Sequence, residues 1–341
     1  MSNKKKKPNN IDVLAAMNEK IPKLSPEDLK NITLAQWTDR WLTQYCSSVK
    51  KSTLASYKSA VDNHIVRVFR DKKLIDVTDD DVQMFVLSME QGVGLDEELK
   101  AKTIKNIHGV LHKCLQTAFE LKMIPYNPAK HTKLPRTNKT VIYPLDNAQI
   151  EMFLKAILGH RFETIYKLAL FTGMRQGEII GLTKDCINFD EGYIRLYRQL
   201  CFDKKRKVYY LDSLKNSRPR VIYPTEAVME MMKSYMKKNP SSSKFVFVGD
   251  KREHLTHPAV RNAYKKIMSR IGYPDFRFHD LRHTYAVLSL KAGVDVKTLS
   301  EAMGHHSVSF TLDTYAFVLT EMKLESARRL QLYIEKMNYK I

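Results

Sequence analysis

The sequence predicts a mainly α-helical protein with a small antiparallel β-sheet, divided between two domains. A chain of 341 residues is long for one hydrophobic core and suits two. Apolar residues recur at helical spacing through most of the chain, and three β-rich runs lie together in its second half. The predicted order is therefore a helical domain followed by an α+β domain.

Four amphipathic helices are predicted after a basic tail. Residues 1–30 are rich in Lys and interrupted by Pro, which favours a flexible tail or a weak first helix. Thr33 and Gln36 are spaced as a capping box, in which each side chain satisfies a backbone N–H at the start of a helix. Apolar residues at helical spacing then predict a helical domain over 31–126. Its helices are centred near Trp41, Tyr57, Phe85 and Leu111.

A linker and a second, mixed domain complete the predicted layout. Residues 127–142 contain two Pro and several basic residues without helical periodicity, which is typical of a linker. The domain over 143–341 combines helices with the small antiparallel sheet. Its strands are predicted at Tyr193–Phe202, Lys207–Leu214 and Arg220–Tyr223. Its helices are predicted at about 146–158, 161–173, 225–238, 257–271, 279–292, 296–303, 307–317 and 321–338.

The net charge of +20 indicates a polyanionic partner. The sequence has 57 Lys and Arg against 37 Asp and Glu, and such an excess attracts nucleic acid in a salt-sensitive manner. Nucleic acid is the leading partner, while a basic surface that binds nothing specific stays open as an alternative. A membrane is disfavoured, because the sequence has neither an apolar run of about 18 residues nor a strongly basic amphipathic helix with a bulky apolar face.

Four scattered cysteines indicate a reducing compartment. Cys46, Cys114, Cys186 and Cys201 include no Cys-x-x-Cys pair, which argues against a zinc ribbon and against a disulfide framework. The basic N-terminus lacks the apolar segment of a secretory signal. The predicted location is the cytoplasm, with the nucleoid when the protein is bound to DNA.

Five lysines of the helical domain are candidate DNA contacts. Lys50, Lys51, Lys58, Lys102 and Lys105 are placed near the starts of the second and fourth helices. Positive charge at a helix N-terminus opposes the helix dipole, and a DNA phosphate would compensate it. Ordinary solvated lysines are an equally good interpretation of any single one.

Four short segments of the second domain carry residues suited to chemistry. They are Thr172–Glu178, Leu214–Arg220, His279–His283 and Gly304–Tyr315. In this order, with Tyr315 ten positions after His305, they resemble the motif set of the tyrosine recombinase, or phage integrase, family. The resemblance covers about residues 31–338. One departure is Met303, where the family often has Leu.

The resemblance implies a helical core-type DNA-binding domain before a catalytic domain, and an exchange of phosphodiester bonds. The hydroxyl of Tyr315 would attack a DNA phosphorus, form a 3′-phosphotyrosyl bond and release a 5′-hydroxyl, which later reverses the step on a partner strand. Bond energy is retained in the phosphotyrosine, so neither ATP nor another cofactor is implied.

The same resemblance assigns positive charge to the phosphate. Arg175 and Arg282 match the family's arginine pair, and their planar guanidiniums suit the charge that develops on the non-bridging oxygens. Glu178, three residues after Arg175, would hold that guanidinium in position. Alternatively, Glu178 would form an ordinary helix ion pair of little worth.

Two histidines are assigned to the same phosphate. His279, on one helical face with Arg282, would hydrogen-bond the phosphate or assist proton transfer, and His305 would donate a second hydrogen bond. His283 and His306 are interpreted as structural or solvated residues. The i, i+4 spacing of His279 and His283 would suit zinc, but no Glu follows His279 and Arg282 would repel a cation. No metal is therefore predicted.

Lys215 is the candidate general acid. It lies in a turn between two predicted strands, and it matches the family's β-hairpin lysine, which would protonate the leaving 5′-oxygen. Lys204, Lys205 and Lys207, one hairpin earlier, are competing candidates. The Asn-Ser-Arg-Pro-Arg sequence that follows Lys215 resembles the family's segment and favours this lysine.

The favoured function is site-specific recombination or integration of a mobile genetic element. The resemblance implies a homo-tetramer that joins two double-stranded DNA sites and exchanges strands in pairs, with accessory proteins that direct the reaction or bend DNA as further candidate partners. A type IB topoisomerase and a DNA-binding regulator without catalysis are the alternatives. The helix after Tyr315 would pack on its own domain or, as often in the family, on a neighbouring protomer.

Overall fold

The chain forms two compact units, residues 1–139 and 140–341, each with its own hydrophobic core. The computed structural model describes residues 25–94, 98–137, 144–203, 206–214, 219–250 and 253–337. The predicted fold class, mainly helical with small antiparallel β-structure, is confirmed. Within these described ranges, no helix is both long and apolar enough to span a bilayer.

The described part of the first unit is helical. Its α-helices are α1 Pro26–Asn31, α2 Leu34–Gln44, α3 Lys51–Ala60, α4 Val66–Phe69, α5 Asp79–Glu90 and α6 Ala101–Glu120. A π-helical turn at Val61–Ile65 joins α3 to α4, and a 3₁₀ turn at Leu74–Asp76 precedes α5. The predicted capping box at the start of α2 is confirmed, because Thr33 and Gln36 exchange hydrogen bonds of 3.0 and 3.3 Å.

Two tryptophans anchor the core of the first unit. Trp37 and Trp41 lie one turn apart on α2 and are each 1% exposed. Their indole N–H groups donate to the Cys114 carbonyl oxygen (3.2 Å) and to the Thr117 hydroxyl (3.1 Å), both on α6. Each large ring is therefore buried with its polar atom satisfied, which fixes α2 against α6.

The first residues of the predicted linker pack on this helical unit. Ala129 is fully buried in its core, and the Ala129 carbonyl oxygen bonds the His108 ring at 3.2 Å. The Asn127 amide donates to the His112 carbonyl oxygen and the Gln116 side chain, at 3.2 and 3.0 Å. The chain is thus held to the first unit beyond the end of α6.

The second unit combines helices with two small antiparallel sheets. Its strands are β1 Ile187–Asn188, β2 Tyr193–Leu196, β3 Arg198–Asp203, β4 Val208–Ser213 and β5 Arg220–Ile222. They form a three-stranded sheet in the order β1-β2-β5 and a two-stranded sheet of β3 and β4. The run Tyr193–Phe202, predicted as one strand, is divided at Tyr197, because β2 pairs with β5 while β3 pairs with β4.

The helices of the second unit lie before and after these strands along the chain. They are α7 Asn147–Ile157, α8 Glu163–Thr172, α9 Gln176–Ile180, α10 Glu226–Lys238, α11 His257–Arg270, α12 Asp280–Lys291, α13 Val296–Met303 and α14 Val308–Lys336. The last helix was predicted as two, separated near residues 318–320. Its backbone instead departs from helical geometry at Tyr315 (φ −116°, ψ 23°).

An aromatic cluster fixes the helices that carry the site. Tyr166 of α8 is fully buried among the rings of Phe153, Tyr264 and Phe278. Its hydroxyl donates to the Val260 carbonyl oxygen at 3.1 Å, which satisfies the buried oxygen. Helix α8 is thereby packed against the segment that leads into α12.

Candidate active site

A sharp turn at the end of α8 places Arg175. The helix ends at Thr172, and Gly173 adopts the left-handed backbone conformation (φ +64°). A Cβ at Gly173 would lie 2.4 Å from the Tyr285 ring, so a larger residue does not fit. Arg175 follows as the N-cap residue of α9, and its Nη2 donates to the Gly304 carbonyl oxygen at 2.9 Å.

One buried carboxylate holds two guanidiniums. Glu178 is 1% exposed, and each of its oxygens accepts two hydrogen bonds. The Arg175 backbone N–H and Nη1 donate at 2.9 Å each, and the Arg220 Nη1 and Nη2 donate at 3.0 and 2.8 Å. Burial by itself would raise the pKa of Glu178, but the two arginines lower it to about 2. Glu178 is therefore ionised, and its ion pairs lie inside the protein rather than on a solvated helix face.

Arg220 was missed by the sequence reasoning. It begins β5, its side chain is 8% exposed, and its Nε donates to the Ala302 carbonyl oxygen at 2.7 Å. It thereby ties β5 to the end of α13 as well as to Glu178. Arg220 lies within one of the motif segments, but nothing in the spacing of that segment identified partners so distant in the chain.

Arg282 lies in the interior of the second unit, on α12. It is 3% exposed, and its two Nη groups donate to the carbonyl oxygens of Gly173 and Met303. Burial, and then the charge of Arg175, lowers the pKa of Arg282 to about 9, so the guanidinium stays charged at neutral pH. Arg282 and Arg175 therefore bind the consecutive carbonyl oxygens of Met303 and Gly304.

His305 follows directly on that pair of carbonyl groups. Gly304 ends α13 in the left-handed conformation (φ +62°), and the His305 Nδ1 is hydrogen-bonded to the Thr311 hydroxyl at 2.7 Å. Burial, followed by the charges of Arg282 and Arg175, lowers the pKa of His305 to about 3. The ring is neutral at physiological pH, and its Nε2 carries the proton when Thr311 donates to Nδ1.

His279 is the N-cap residue of α12 and lies one turn before Arg282. Its ring is exposed, and its centroid lies 5.2 Å from that of His283. Desolvation by the surrounding protein, and then the charges of His283 and Arg282, lowers the pKa of His279 to about 4.

Tyr315 is fully buried at the irregular turn of α14. Its ring packs with apolar residues of α12 and α13, including Ala286, Leu290 and Met303. The Tyr315 hydroxyl is hydrogen-bonded to the His283 Nδ1 at 2.8 Å. Burial raises the pKa of Tyr315 to about 12, against the opposing charge of Arg282, so the phenol is protonated at neutral pH.

The structure thus gathers most of the predicted site residues around the short segment 303–305. Arg175, Arg282 and His305 meet there, Glu178 and Arg220 support them, and Tyr315 packs against Met303. Lys215, the candidate general acid, lies outside the described residues, as do its competitors Lys204 and Lys205. Within the described part of the chain, no three His, Cys, Asp or Glu side chains are arranged to hold a metal ion.

His283 was interpreted from the sequence as a structural or solvated residue. The structure places its ring against the phenol of Tyr315, with centroids 6.0 Å apart. The sequence shows that His283 follows Arg282 directly, but it does not reveal that a residue 32 positions later packs against the His283 ring.

The candidate lysines of the first unit occupy two different environments. Lys50 is the N-cap residue of α3, Lys51 begins that helix, and Lys102 lies in the first turn of α6. Neither helix has an acidic residue in its first turn or a side-chain cap. Lys105 is half-buried and donates to the Thr137 hydroxyl at 3.3 Å. The placement of Lys58 near a helix start was wrong, because this residue lies in the last turn of α3, before the π-helical turn that continues into α4.

Comparison with known proteins identifies the family. Residues 144–322, which contain Arg175, Arg282, His305 and Tyr315, match the family model described as the phage integrase family. Residues 33–89 match the model for the phage integrase N-terminal SAM-like domain. This chain belongs to the phage integrase family. The resemblance inferred from the ordered motifs is therefore confirmed.

Relatives and solved structures agree with this placement. A tyrosine recombinase XerC-like protein of Caldanaerobacter subterraneus subsp. tengcongensis is 25% identical over 332 residues, covering 89% of this chain and 84% of its own. A structure of the Tn1549 transposon integrase with a circular intermediate DNA has a TM-score of 0.75 at 22% identity, covering 87% and 99% of the two chains. A lambda integrase tetramer bound to a Holliday junction has a TM-score of 0.62 at 20% identity, covering 87% and 86%. The fold of this chain is that of the integrases.

Proposed function

We propose that this chain is a site-specific DNA recombinase that cleaves and rejoins DNA through a phosphotyrosyl bond at Tyr315. The supporting observation is that Arg175 and Arg282 bind the consecutive carbonyl groups of Met303 and Gly304, in the segment that leads to His305 and Tyr315. The charge of Arg282 acts on the buried Tyr315 phenol, and the chain belongs to a family whose members include recombinases and integrases.

The two arginines bind the phosphate under attack. As Tyr315 adds to the phosphorus, negative charge grows on the non-bridging oxygens, and preorganised guanidiniums stabilise that charge in a partly dehydrated site. Glu178 orients Arg175, because it fixes both the backbone and the guanidinium of that residue. Glu178 therefore acts through Arg175 and does not touch the DNA.

The neutral histidines and a lysine complete the reaction. His305, with its proton on Nε2, donates a hydrogen bond to a phosphate oxygen, and His279 does so from the start of α12. Lys215 protonates the leaving 5′-oxygen as general acid. The second step reverses these roles when the 5′-hydroxyl of a partner strand attacks the phosphotyrosine.

The helical domain, residues 31–126, serves in this proposal as the core-type DNA-binding domain. The tail 1–30 and linker 127–142 add basic residues, and residues 143–341 form the catalytic domain. Lys50, Lys51 and Lys102 are the best-placed phosphate contacts, because they lie at uncapped helix starts.

The proposed partner is double-stranded DNA, bound by four copies of the chain. A lambda integrase tetramer on a Holliday junction, and the transposon integrase on a circular intermediate DNA, support both parts of this proposal. Accessory proteins that direct the reaction or bend DNA are further proposed partners. The proposed location is the cytoplasm, with the nucleoid when the protein is bound to DNA.

Covalent capture from a random-sequence DNA library tests the function and finds the target in one experiment. The protein is incubated with random-sequence duplexes that carry a nick and is then denatured. The DNA that stays attached to the protein is sequenced, and the modified peptide is identified by mass spectrometry. We expect a phosphotyrosine at Tyr315, and none with Tyr315→Phe. Equal amounts of adduct from both proteins would refute an enzyme that cleaves DNA through Tyr315. No adduct from either protein would favour a DNA-binding regulator. Relaxation of supercoils without joining two captured sites would identify a type IB topoisomerase.

A further inference from the structure

A hydrogen bond of 2.8 Å joins the His283 Nδ1 to the Tyr315 hydroxyl. His283 lies on α12, and Tyr315 belongs to a buried apolar cluster that includes Ala286 and Leu290 of the same helix. The His283 ring is half-buried, and the phenol has no solvent-exposed surface. The histidine is therefore the polar group in contact with the proposed nucleophilic oxygen among the described residues.

We propose that His283 accepts the proton of the Tyr315 hydroxyl as this oxygen attacks the scissile phosphorus. The inference rests on the proposed function and adds a catalytic residue to it. A phenol must lose its proton to become a good nucleophile, and the basic atom must lie within hydrogen-bond reach of that proton. His283 meets this geometric requirement in the structure.

The surroundings of His283 keep its ring neutral, which leaves a ring nitrogen free to accept a proton. Burial lowers the pKa of His283, the Asp280 carboxylate opposes this shift, and the Arg282 and Arg277 guanidiniums add to it. The nearby His279 ring stands edge-on to it at 5.2 Å. A neutral ring with its proton on Nε2 presents the Nδ1 lone pair to the phenol.

The surroundings also suit the state after transfer. Asp280 is 7% exposed and lies one helical turn before His283 on α12. Its carboxylate favours the imidazolium form of His283. The Arg282 charge favours the oxygen of Tyr315 in its deprotonated form. The two developing charges thus each face a group of opposite sign, which lowers the cost of separating them inside the protein.

The step balances without a redox partner. The Tyr315 Oη–P bond forms while the P–O5′ bond breaks, the phenolic proton moves to the His283 Nδ1, and the leaving 5′-oxygen takes a proton from Lys215. In rejoining, the 5′-hydroxyl gives its proton back to Lys215 as its oxygen forms the bond to phosphorus, the Tyr315 Oη–P bond breaks, and the proton on His283 returns to the phenol. One residue therefore acts as base in cleavage and as acid in ligation.

A sulfur-substituted DNA separates this role from that of the general acid. The duplex recovered by covalent capture is synthesised with sulfur in place of the bridging 5′-oxygen, because a thiolate leaves without being protonated. His283→Asn keeps an oxygen acceptor near the position of Nδ1 but is not basic. We expect it to slow single-turnover cleavage of both oxygen and sulfur substrates by about 100-fold or more, while Lys215→Ala is rescued by sulfur.

Two further measurements exclude a merely structural role. Added imidazole is expected to restore part of the cleavage by His283→Ala, and the fall in wild-type rate at low pH is expected to disappear in His283→Asn. His306→Asn, at an exposed histidine of the same unit, is the matched control and should cleave as the wild type does.

The outcomes keep this inference apart from the proposed function. Absence of a wild-type adduct refutes the recombinase itself. A normal wild-type adduct together with undiminished cleavage by His283→Asn overturns the role of His283 alone. Rescue of His283→Asn by the sulfur substrate also overturns it, because the residue would then act on the leaving group.

Discussion

Arg220 and Glu178 form a bidentate ion pair inside the second unit, with hydrogen bonds of 3.0 and 2.8 Å. Their side chains are 8% and 1% exposed, so water contributes little to the stability of either charge. The same carboxylate binds Arg175, whose guanidinium reaches the Gly304 carbonyl group. A residue on β5 thus supports the position of a proposed phosphate ligand through a shared buried anion.

Arg220→Ala is expected to destabilise the second unit by about 3–5 kcal/mol, because it leaves a buried carboxylate with half of its partners. The change is measured by urea unfolding followed by tyrosine near-UV circular dichroism. Tryptophan fluorescence serves as the internal control, since Trp37 and Trp41 both lie in the first unit. Arg161→Ala removes an exposed ion pair with Asp250 and should change stability by only about 0–1 kcal/mol. Similar effects of the two substitutions would contradict a buried network.

The pH dependence of stability follows from the same carboxylate. The pKa of Glu178 is about 2 in the folded protein, below its ordinary value of 4.5. Its contribution is therefore complete above pH about 4.5 and is lost as pH falls towards about 2. The free energy of unfolding of the second unit, measured as a function of pH, should show this loss. In Glu178→Gln this part of the pH dependence should be absent. A pH-independent difference between the two proteins would contradict the ionised state.

Arg175→Lys is expected to reduce cleavage by about 100-fold or more while largely preserving DNA affinity. Lysine keeps the charge but cannot bind Glu178, the Gly304 carbonyl group and a phosphate in the planar geometry of a guanidinium. Single-turnover cleavage of the captured duplex is compared with equilibrium binding. Parallel losses of binding and cleavage would instead identify Arg175 as an ordinary phosphate anchor.

Lysines at the helix starts should contribute to the salt dependence of DNA binding. Lys51→Ala and Lys102→Ala are each expected to weaken affinity for all sequences and to reduce the slope of log K against log salt by roughly 0.9. Fluorescence anisotropy across a range of salt concentrations measures the slope. Lys155→Ala, which removes an exposed ion pair with Glu151 in α7, is the control. An unchanged slope in all three would reject the assigned contacts.

Local signals made much of the fold predictable. The capping pair Thr33 and Gln36 located the start of α2, because both hydrogen bonds form within four residues. The ordered motifs likewise identified Arg175, Arg282 and His305, which the structure brings together. These features depend on short-range geometry or on an ordered pattern along the chain.

Long-range packing could not be predicted in the same way. The run Tyr193–Phe202 has the composition of one strand, yet its halves pair with different partners, which only the folded chain determines. The ion pair of Arg220 with Glu178 and the contact of His283 with Tyr315 were not predicted, because the partners lie 42 and 32 positions apart. The sequence predicted the break in the last helix at residues 318–320, but it lies at Tyr315. The ring of this residue is buried in a cluster with apolar residues of α12 and α13.

Gly173→Ala provides a test of the turn that carries Arg175. Its backbone is left-handed, and an added Cβ would lie 2.4 Å from the Tyr285 ring. Gly159 has a similar φ of +71° but open space around its missing Cβ, so Gly159→Ala incurs only the backbone cost, about 1 kcal/mol. Gly173→Ala should lower the melting temperature of the second unit considerably more and should slow cleavage as well, because Arg175 moves with the turn. Equal melting temperatures for the two variants would show that the Tyr285 contact does not constrain this turn.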